Sequence, residues 1–345
     1  MRKMSPAMQE AMSRLVAKAM RARERGDGRP FVVACFVTNR CNCKCASCLW
    51  RHNDWRDVPL DDLKRFYAEA RDLGFIATAL TGGEPFLRKD LGELVRFIKQ
   101  DLDMSILVFT TGWFVEQRMD EVLPHIDMLV TSLDSASAER HDTIRGLPGL
   151  HARLMRAVTV VKEQYPQLSI QFNCCVQKGI TEEIDDLIAL AESKDMPISF
   201  DVITEHRNGA EGSHFTETSV GLPLPELQEV CRTLLERKRE GAPILNSELY
   251  FQYFADGRPG YQCHLPKMAM FVDGRGYVEN CLNLDQPLAY IRETPLAEIL
   301  ELPQFRQLRV DAERCSSCSS PTMVDLSHVW QNPLLVFQSG GVSIG

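Results

Sequence analysis

The sequence predicts an α/β fold built on a parallel sheet, and three observations lead there. Six apolar, β-branched runs stand at 31–37, 76–80, 105–109, 128–132, 169–176 and 198–203. Between them lie segments with helical spacing, such as Leu60, Leu63, Phe66, Ala70 and Leu73, and later Ile184, Leu187, Ile188 and Ala191. Strand and helix in alternation mean βαβ units. The runs are also apolar throughout, which points to strands buried on both faces. Six such units make a partial barrel or a doubly wound sheet, and in either the site lies at the carboxyl ends of the strands.

The flanking segments follow the same rules. Residues 5–24 form a helix, capped by Ser5, with Pro6 in its first turn and Gly26 and Gly28 beyond its end. Its Met8, Met12, Leu15, Val16, Ala19 and Met20 fall on one stripe. Residues 1–25 hold seven Lys and Arg against two Glu, a net +5 that leaves −13 for the rest. Such a helix either closes the bottom of the barrel or makes peripheral contact with an anionic membrane. Past 203 the rhythm breaks. Residues 205–221, with Glu205, His206, Glu211 and His214, form a polar, solvated loop that could line a substrate entrance. A helix at 223–240 follows, then a hairpin with strands at 268–272 and 277–280 around Asp273-Gly274-Arg275-Gly276, then a helix at 296–310. The expected division is an N-terminal helix at 1–28, a core at 29–241 and a smaller α+β domain at 242–345.

Composition narrows the function. At 345 residues, 44% hydrophobic and 25% charged, the chain is globular and large enough for a sizeable core. A net charge of −8 argues against a nucleic-acid-coating protein. There is no apolar run of membrane-spanning length and no secretory signal, so the expected location is cytoplasmic, with membrane contact through the first helix as an addition. Twelve cysteines are many for such a chain, where thiols stay reduced and hold metal or do redox chemistry. Cys35, Cys174, Cys175 and Cys231 sit in apolar segments and read as small buried hydrophobes. The C-terminal Gly341-Val342-Ser343-Ile344-Gly345 matches a hydrolase elbow but has no helix after it, and is dismissed.

The other cysteines are grouped. Cys41, Cys45 and Cys48 form C-x3-C-x2-C straight after the first strand, with Cys43 between them. Three thiolates in one short loop can hold three corners of a cubane iron–sulfur cluster and leave the fourth iron open. A zinc site using all four cysteines is the competing reading, although eight residues are tight for a tetrahedron. Thr81-Gly82-Gly83-Glu84-Pro85 follows the second strand, where paired glycines let backbone approach a ligand and Glu84 can accept from an ammonium. Thr110 ends the third strand, Ser132 and Asp134 end the fourth, and Arg145 offers a fork for a carboxylate. Cys263, Cys281, Cys315 and Cys318 can close a second four-thiolate shell, again open to zinc by geometry alone.

The cysteine loop and the Gly-Gly-Glu-Pro run together resemble the radical S-adenosylmethionine (SAM) superfamily. The resemblance implies a partial (βα)6 TIM-like barrel whose 4Fe–4S cluster, on Cys41, Cys45 and Cys48, chelates SAM through the open iron. One electron, from a donor such as flavodoxin or ferredoxin, would then yield a 5′-deoxyadenosyl radical that abstracts hydrogen from an unactivated C–H bond. Cys43 would be a bystander. Ser47 stands where the family often has an aromatic residue, and Trp50 is the substitute. Gly82, Gly83 and Glu84 would meet the SAM amino group, while Thr110, Ser132, Asp134 and Arg145 would lie near its ribose or carboxylate. The second cysteine set is similar to the SPASM/twitch auxiliary domain in its twitch form, implying one auxiliary 4Fe–4S cluster. The expected substrate is a small molecule of lipid, isoprenoid or sugar type, and the expected outcome is oxidation or bond formation. The alternative is a peptide maturase crosslinking a ribosomal peptide, against which stand the mere 30 or so residues before the first strand, too few for a folded leader-binding domain. No side chain is assigned as the catalytic acid or base.

Overall fold

The computed structural model describes residues 6–26, 28–46, 48, 56–203, 220–257, 261–279, 287–315, 318 and 321–334. Ser5, Ser47, Trp50, Glu205, His206, Glu211, His214, Cys281 and the 341–345 tail lie outside the described residues.

Six strands follow the predicted runs: β1 (Val32–Thr38), β2 (Ala77–Gly82), β3 (Ser105–Thr110), β4 (Met128–Ser132), β5 (Ser169–Val176) and β6 (Ile198–Val202). Each pairs in parallel with the next, Val32 opposite Ala77 at one end and Phe172 opposite Ile198 at the other. A doubly wound sheet reverses its strand order at a switch point. Here the order runs 6-5-4-3-2-1 without reversal, so the sheet is the singly wound, partial barrel. The free edge of β1 takes β7 (Ala269–Val272), also parallel, and then antiparallel β8 (Tyr277–Glu279) and β9 (Pro287–Tyr290) complete one nine-stranded sheet. The predicted hairpin is therefore present, and it extends the barrel sheet.

The helices are α1 (Pro6–Glu24), α2 (Leu60–Asp72), α3 (Leu91–Arg96), α4 (Val115–Val122), α5 (Ala138–Arg145), α6 (Leu150–Gln164), α7 (Ile184–Ser193), α8 (Leu224–Arg239), α9 (Glu248–Ala255), α10 (Leu296–Glu301), α11 (Pro303–Ala312) and α12 (Pro321–Gln331). The single helix expected at 296–310 is two, because Pro303 lacks the N–H that a helix interior requires and starts a new one instead.

The two faces of the sheet differ. Val33, Cys35 and Val37 of β1 and Phe172 and Cys174 of β5 are buried in one core with Leu63, Phe66 and Tyr67 of α2 and Leu187 of α7. The alternate positions Val32, Ala34, Ala77 and Ala79 are only partly buried. Burial on both faces thus fails at Val32 and Ala34 of β1 and at Ala77 and Ala79 of β2, whereas Phe36 and Thr38, further along the same face of β1, are buried. Cys175 also departs from expectation, being partly exposed on the inner face, while Cys35, Cys174 and Cys231 are buried.

Beneath the barrel, α1 turns its stripe inward. Met12, Leu15, Val16 and Ala19 are buried in the main core, and Met20 is exposed. Arg14 pairs with Asp103 at 3.2 Å, just before β3, and the Lys18 ammonium lies beside Gly74, just before β2. The helix therefore covers the amino ends of the strands, and the apolar face that could have met a membrane meets protein. No helix among the described residues is long and apolar enough to cross a membrane. Leu15→Ala should cost about 2–5 kcal/mol, as for other large-to-small changes in a core, read as a lower urea midpoint with an unchanged slope.

Candidate functional site

At the carboxyl ends of the strands, the cysteine loop is gripped from two sides. The Gly83 N–H donates to the Thr38 carbonyl and the Glu84 N–H to the Arg40 carbonyl, both at 2.8 Å. A Cβ on Gly82 would lie 2.2 Å from the Thr38 oxygen, and one on Gly83 would lie 2.1 Å from the Arg40 oxygen. Gly82 also has φ of +128°, which L side chains rarely adopt. The paired glycines are thus required by chain against chain. The N–H groups of Gly83 and Glu84 are spent on the start of the cysteine loop.

Glu84 is likewise engaged within the protein. Its carboxyl is fully buried, with Oε1 accepting from the Thr110 hydroxyl at 2.8 Å and the Phe86 N–H at 3.1 Å. Its Oε2 accepts from the Thr111 N–H at 2.7 Å and the Thr111 hydroxyl at 2.6 Å. These four bonds match the acceptor capacity of a carboxylate. Burial pushes its pKa up while the Thr111, Phe86 and Thr110 bonds pull it down. Glu84 and Thr110 therefore tie the end of β2 to the end of β3. Thr111 was missed in the sequence; its one signal was its place beside Thr110 in the same turn.

On the second side, α5 docks its carboxyl end. The Lys44 N–H donates to the Arg145 carbonyl at 2.9 Å, and Cys45 Sγ lies 3.7 Å from that oxygen. Gly146 caps α5 in the left-handed conformation, and a Cβ there would sit 3.0 Å from Lys44. The Arg145 guanidinium bonds Asp134 at 2.6 Å, and both side chains are largely buried. The fork expected to meet a ligand carboxylate thus meets a protein carboxylate. Asp134 also accepts from the Cys175 N–H at 2.9 Å, and its own N–H donates to His141 Nδ1 at 3.2 Å. Ser132 ends β4 two residues earlier, opposite Asn173.

Cys41, Cys43, Cys45 and Cys48 gather here with Leu147, Leu150 and Trp113. The Cys43 N–H donates to Cys41 Sγ at 3.4 Å. The Cys43 side chain bonds both neighbours, which pushes its own thiol up and pulls Cys41 down. Cys45 falls to about 6, first through Cys43 and then through the Arg145 charge, against the opposing effect of burial. Thiolates are the ligating form. Among the described residues, no three His, Cys, Asp or Glu side chains are arranged to hold a single metal ion. The donor set of several thiols in one short loop fits a polynuclear iron–sulfur cluster, whose corners lie apart.

The second set is assembled by β7 and the C-terminal helices. The Cys263 N–H donates to the Cys315 carbonyl at 3.2 Å. The buried Cys318 donates its N–H to the Tyr253 hydroxyl at 2.9 Å, with Met323 Sδ 3.5 Å from its sulfur. Burial raises the Cys263 thiol.

Asp134 and Arg145 give a direct check on this mouth. Removing one partner of a buried pair leaves the other charge uncompensated, so Asp134→Leu should cost about 3–5 kcal/mol. In a double-mutant cycle, Arg145→Met added to Asp134→Leu should recover part of that loss. Chemical denaturation of the three variants measures both.

Comparison with known proteins agrees with this geometry. The Radical SAM superfamily profile matches residues 35–191, and the SPASM profile, an iron–sulfur cluster-binding domain, matches residues 263–319. The chain is 27% identical to the AdoMet-dependent heme synthase of Methanosarcina barkeri (strain Fusaro / DSM 804), over 84% of this chain and 87% of that protein. It is 25% identical to the PqqA peptide cyclase of Granulibacter bethesdensis, over 84% of this chain and 79% of the relative. Streptococcus suis SuiB bound to S-adenosylmethionine shares the fold, with a TM-score of 0.67 at 17% identity over 85% of this chain and 71% of SuiB. Strand order, cysteine placement and both profiles converge: the chain is an enzyme of the radical SAM superfamily, with an iron–sulfur cluster-binding SPASM domain after its barrel.

Proposed function

We propose that the enzyme holds a SAM-chelating 4Fe–4S cluster on Cys41, Cys45 and Cys48, holds one auxiliary 4Fe–4S cluster on Cys263, Cys281, Cys315 and Cys318, and attacks a C–H bond of a small molecule in the barrel lumen. The observation that carries the reading is the cysteine loop, gripped between the Gly82–Glu84 backbone and the end of α5 with the Cys41 and Cys45 thiols pulled toward thiolate. When bound, the cluster and SAM supply reductive sulfonium cleavage and hydrogen-atom abstraction, with the electron coming from a carrier such as flavodoxin or ferredoxin.

The chain's own residues prepare that chemistry. Cys43 is buried with its thiol held protonated, and it serves as a hydrogen-bond partner of Cys41 and Cys45 rather than a ligand. Arg145 adds positive charge beside Cys45, and Asp134 keeps that arginine in place. Leu147, Leu150 and Trp113 cover the thiols and limit the access of water. Glu84, Thr110 and Thr111 fix the strand ends beneath the SAM position. The small residues Ala34, Ala77 and Ala79 leave room for a substrate in the lumen. A second reading, maturation of a ribosomal peptide, draws on the likeness to PqqA peptide cyclase and to SuiB, which has been solved with its precursor peptide SuiA.

Anaerobic reconstitution should give about eight irons per chain, from two cubane clusters, and 5′-deoxyadenosine from SAM with dithionite. Changing Cys41, Cys45 and Cys48 together to Ala should leave about four irons and no SAM cleavage. Cleavage retained in that variant would overturn the assignment. Cys43→Ala should keep the full iron content, and a loss of about four irons would make Cys43 a ligand. Cys315→Ala with Cys318→Ala should lose the auxiliary cluster yet still cleave SAM. Stoichiometric zinc with only about four irons in the wild type would count against an auxiliary iron–sulfur cluster.

A further inference from the structure

The inner face of β5 and β6 carries a line of polar groups that the reading above does not use. Successive inner positions on β5 are Gln171, Asn173 and Cys175, and those on β6 are Ser199 and Asp201. Asn173 pairs with Ser199 across the strands, and Cys175 pairs with Asp201. The Ser199 hydroxyl donates to Asn173 Oδ1 at 2.6 Å, and Asn173 Nδ2 donates to Asp201 Oδ2 at 3.2 Å. Each group orients the next, and the relay ends at the carboxyl of Asp201. Its other oxygen, Oδ1, is buried and has no hydrogen-bond partner among the described residues. An unpartnered buried carboxyl oxygen costs free energy unless something fills its place.

Position says what that place faces. Asp201 lies one residue before the carboxyl end of β6, on the lumen side where sites of this architecture are built. Its neighbour across the sheet, Cys175, gives its N–H to Asp134, the partner of Arg145. A single polar line therefore runs from the cysteine loop to Asp201.

We infer that Asp201, oriented by Asn173 and Ser199, is the anchor for a hydroxyl group of the substrate. The inference rests on reading the lumen as the substrate chamber. A hydroxyl can donate one hydrogen bond and accept others, so it can pair with Oδ1 in either protonation state, donating to the carboxylate or accepting from the carboxylic acid. Because Asn173 donates to Oδ2, a proton on this carboxyl belongs on Oδ1, facing the same hydroxyl. Burial pushes the carboxyl up to about 7 against the Asn173 bond, with Asp325 and Asp134 adding to the rise, so both forms are present near neutrality. An ammonium group fits less well. It brings three N–H donors, whereas the one oxygen of this line with no partner among the described residues is Asp201 Oδ1, Asn173 Oδ1 and Asp201 Oδ2 each already accepting one bond.

Crystals of the reconstituted enzyme with SAM, soaked separately in glycerol and in methylammonium, test this. A glycerol oxygen should lie within hydrogen-bond distance of Asp201 Oδ1. It should be lost in Asp201→Leu, while SAM affinity in solution stays at the wild-type value and reports that the variant is folded. Ser199→Ala, which leaves the carboxyl but frees Asn173 to turn, is the second variant and should also lose the ordered glycerol. Three results overturn the inference: no glycerol at Asp201, methylammonium there instead, or a SAM ribose hydroxyl on Asp201 with SAM affinity falling in Asp201→Leu. A wild-type protein that binds no SAM would instead defeat the function proposed above, so the two failures are distinguishable.

Discussion

The mouth of the barrel depends on a backbone clasp with no room for a side chain. Two amides of the Gly82–Glu84 segment close on two carbonyls of the 38–40 segment, each at 2.8 Å. A methyl group on either glycine would have to push the Thr38 or Arg40 carbonyl aside, and those residues lead directly into Cys41. The β1–β2 register shifts between Phe36 and Thr38 as the strand gives way to the loop. Glu84 then carries the constraint onward, its buried carboxyl reaching β3 through Thr110 and Thr111. Three strand ends and the first cysteine are thereby positioned by one turn. Such precision matters because a site misplaced by about 1 Å can lose much of its rate.

The electrostatics of the mouth follow from the same packing. The carboxyl end of α5 lies against the cysteine loop, so Arg145 serves twice. Its carbonyl accepts from Lys44, and its guanidinium lends positive charge to Cys45. That guanidinium would be costly to bury alone, and Asp134 offsets it at 2.6 Å. Asp134 also meets β5 through Cys175 and α5 through His141. Burial of the His141 ring, together with the nearby Arg145 charge, lowers its pKa to about 4 and keeps it neutral. A chain with excess acid overall thus places a cation where thiolates are needed.

The C-terminal segment shares the barrel's sheet. Because β7 pairs with β1, the hairpin that leads toward the second cysteine set grows from the strand that leads into the first. The hairpin turn closes tightly on this junction: a Cβ on Gly274 would lie 2.2 Å from the side-chain oxygen of Asn39, two residues before Cys41. The two cysteine sets are therefore mechanically linked through a single strand, so distortion of the turn would reach the first loop.

Much of this was legible in the sequence because its cause is local. Strand runs, helical spacing and the C-x3-C-x2-C loop depend on near neighbours, and so does the hairpin around Asp273-Gly274-Arg275-Gly276. The stripe on α1 was legible too, but not its destination, since an apolar face does not name what covers it. What the sequence did not show is the protein partners of several polar groups, which come from other elements. Glu84 and Arg145 looked ready for a ligand because Thr111 is 27 residues from the one and Asp134 is supplied to the other by a different element. Gly83 looked like an approach surface because Arg40, 43 residues earlier, cannot be seen beside it. The sequence by itself determined the repeating units, the ligand types and the end of the barrel that holds them. Only the tertiary structure decided the strand order, the joining of β7 to β1, and which buried polar groups satisfy one another, because parallel pairing and buried hydrogen bonds are set by contacts between distant segments.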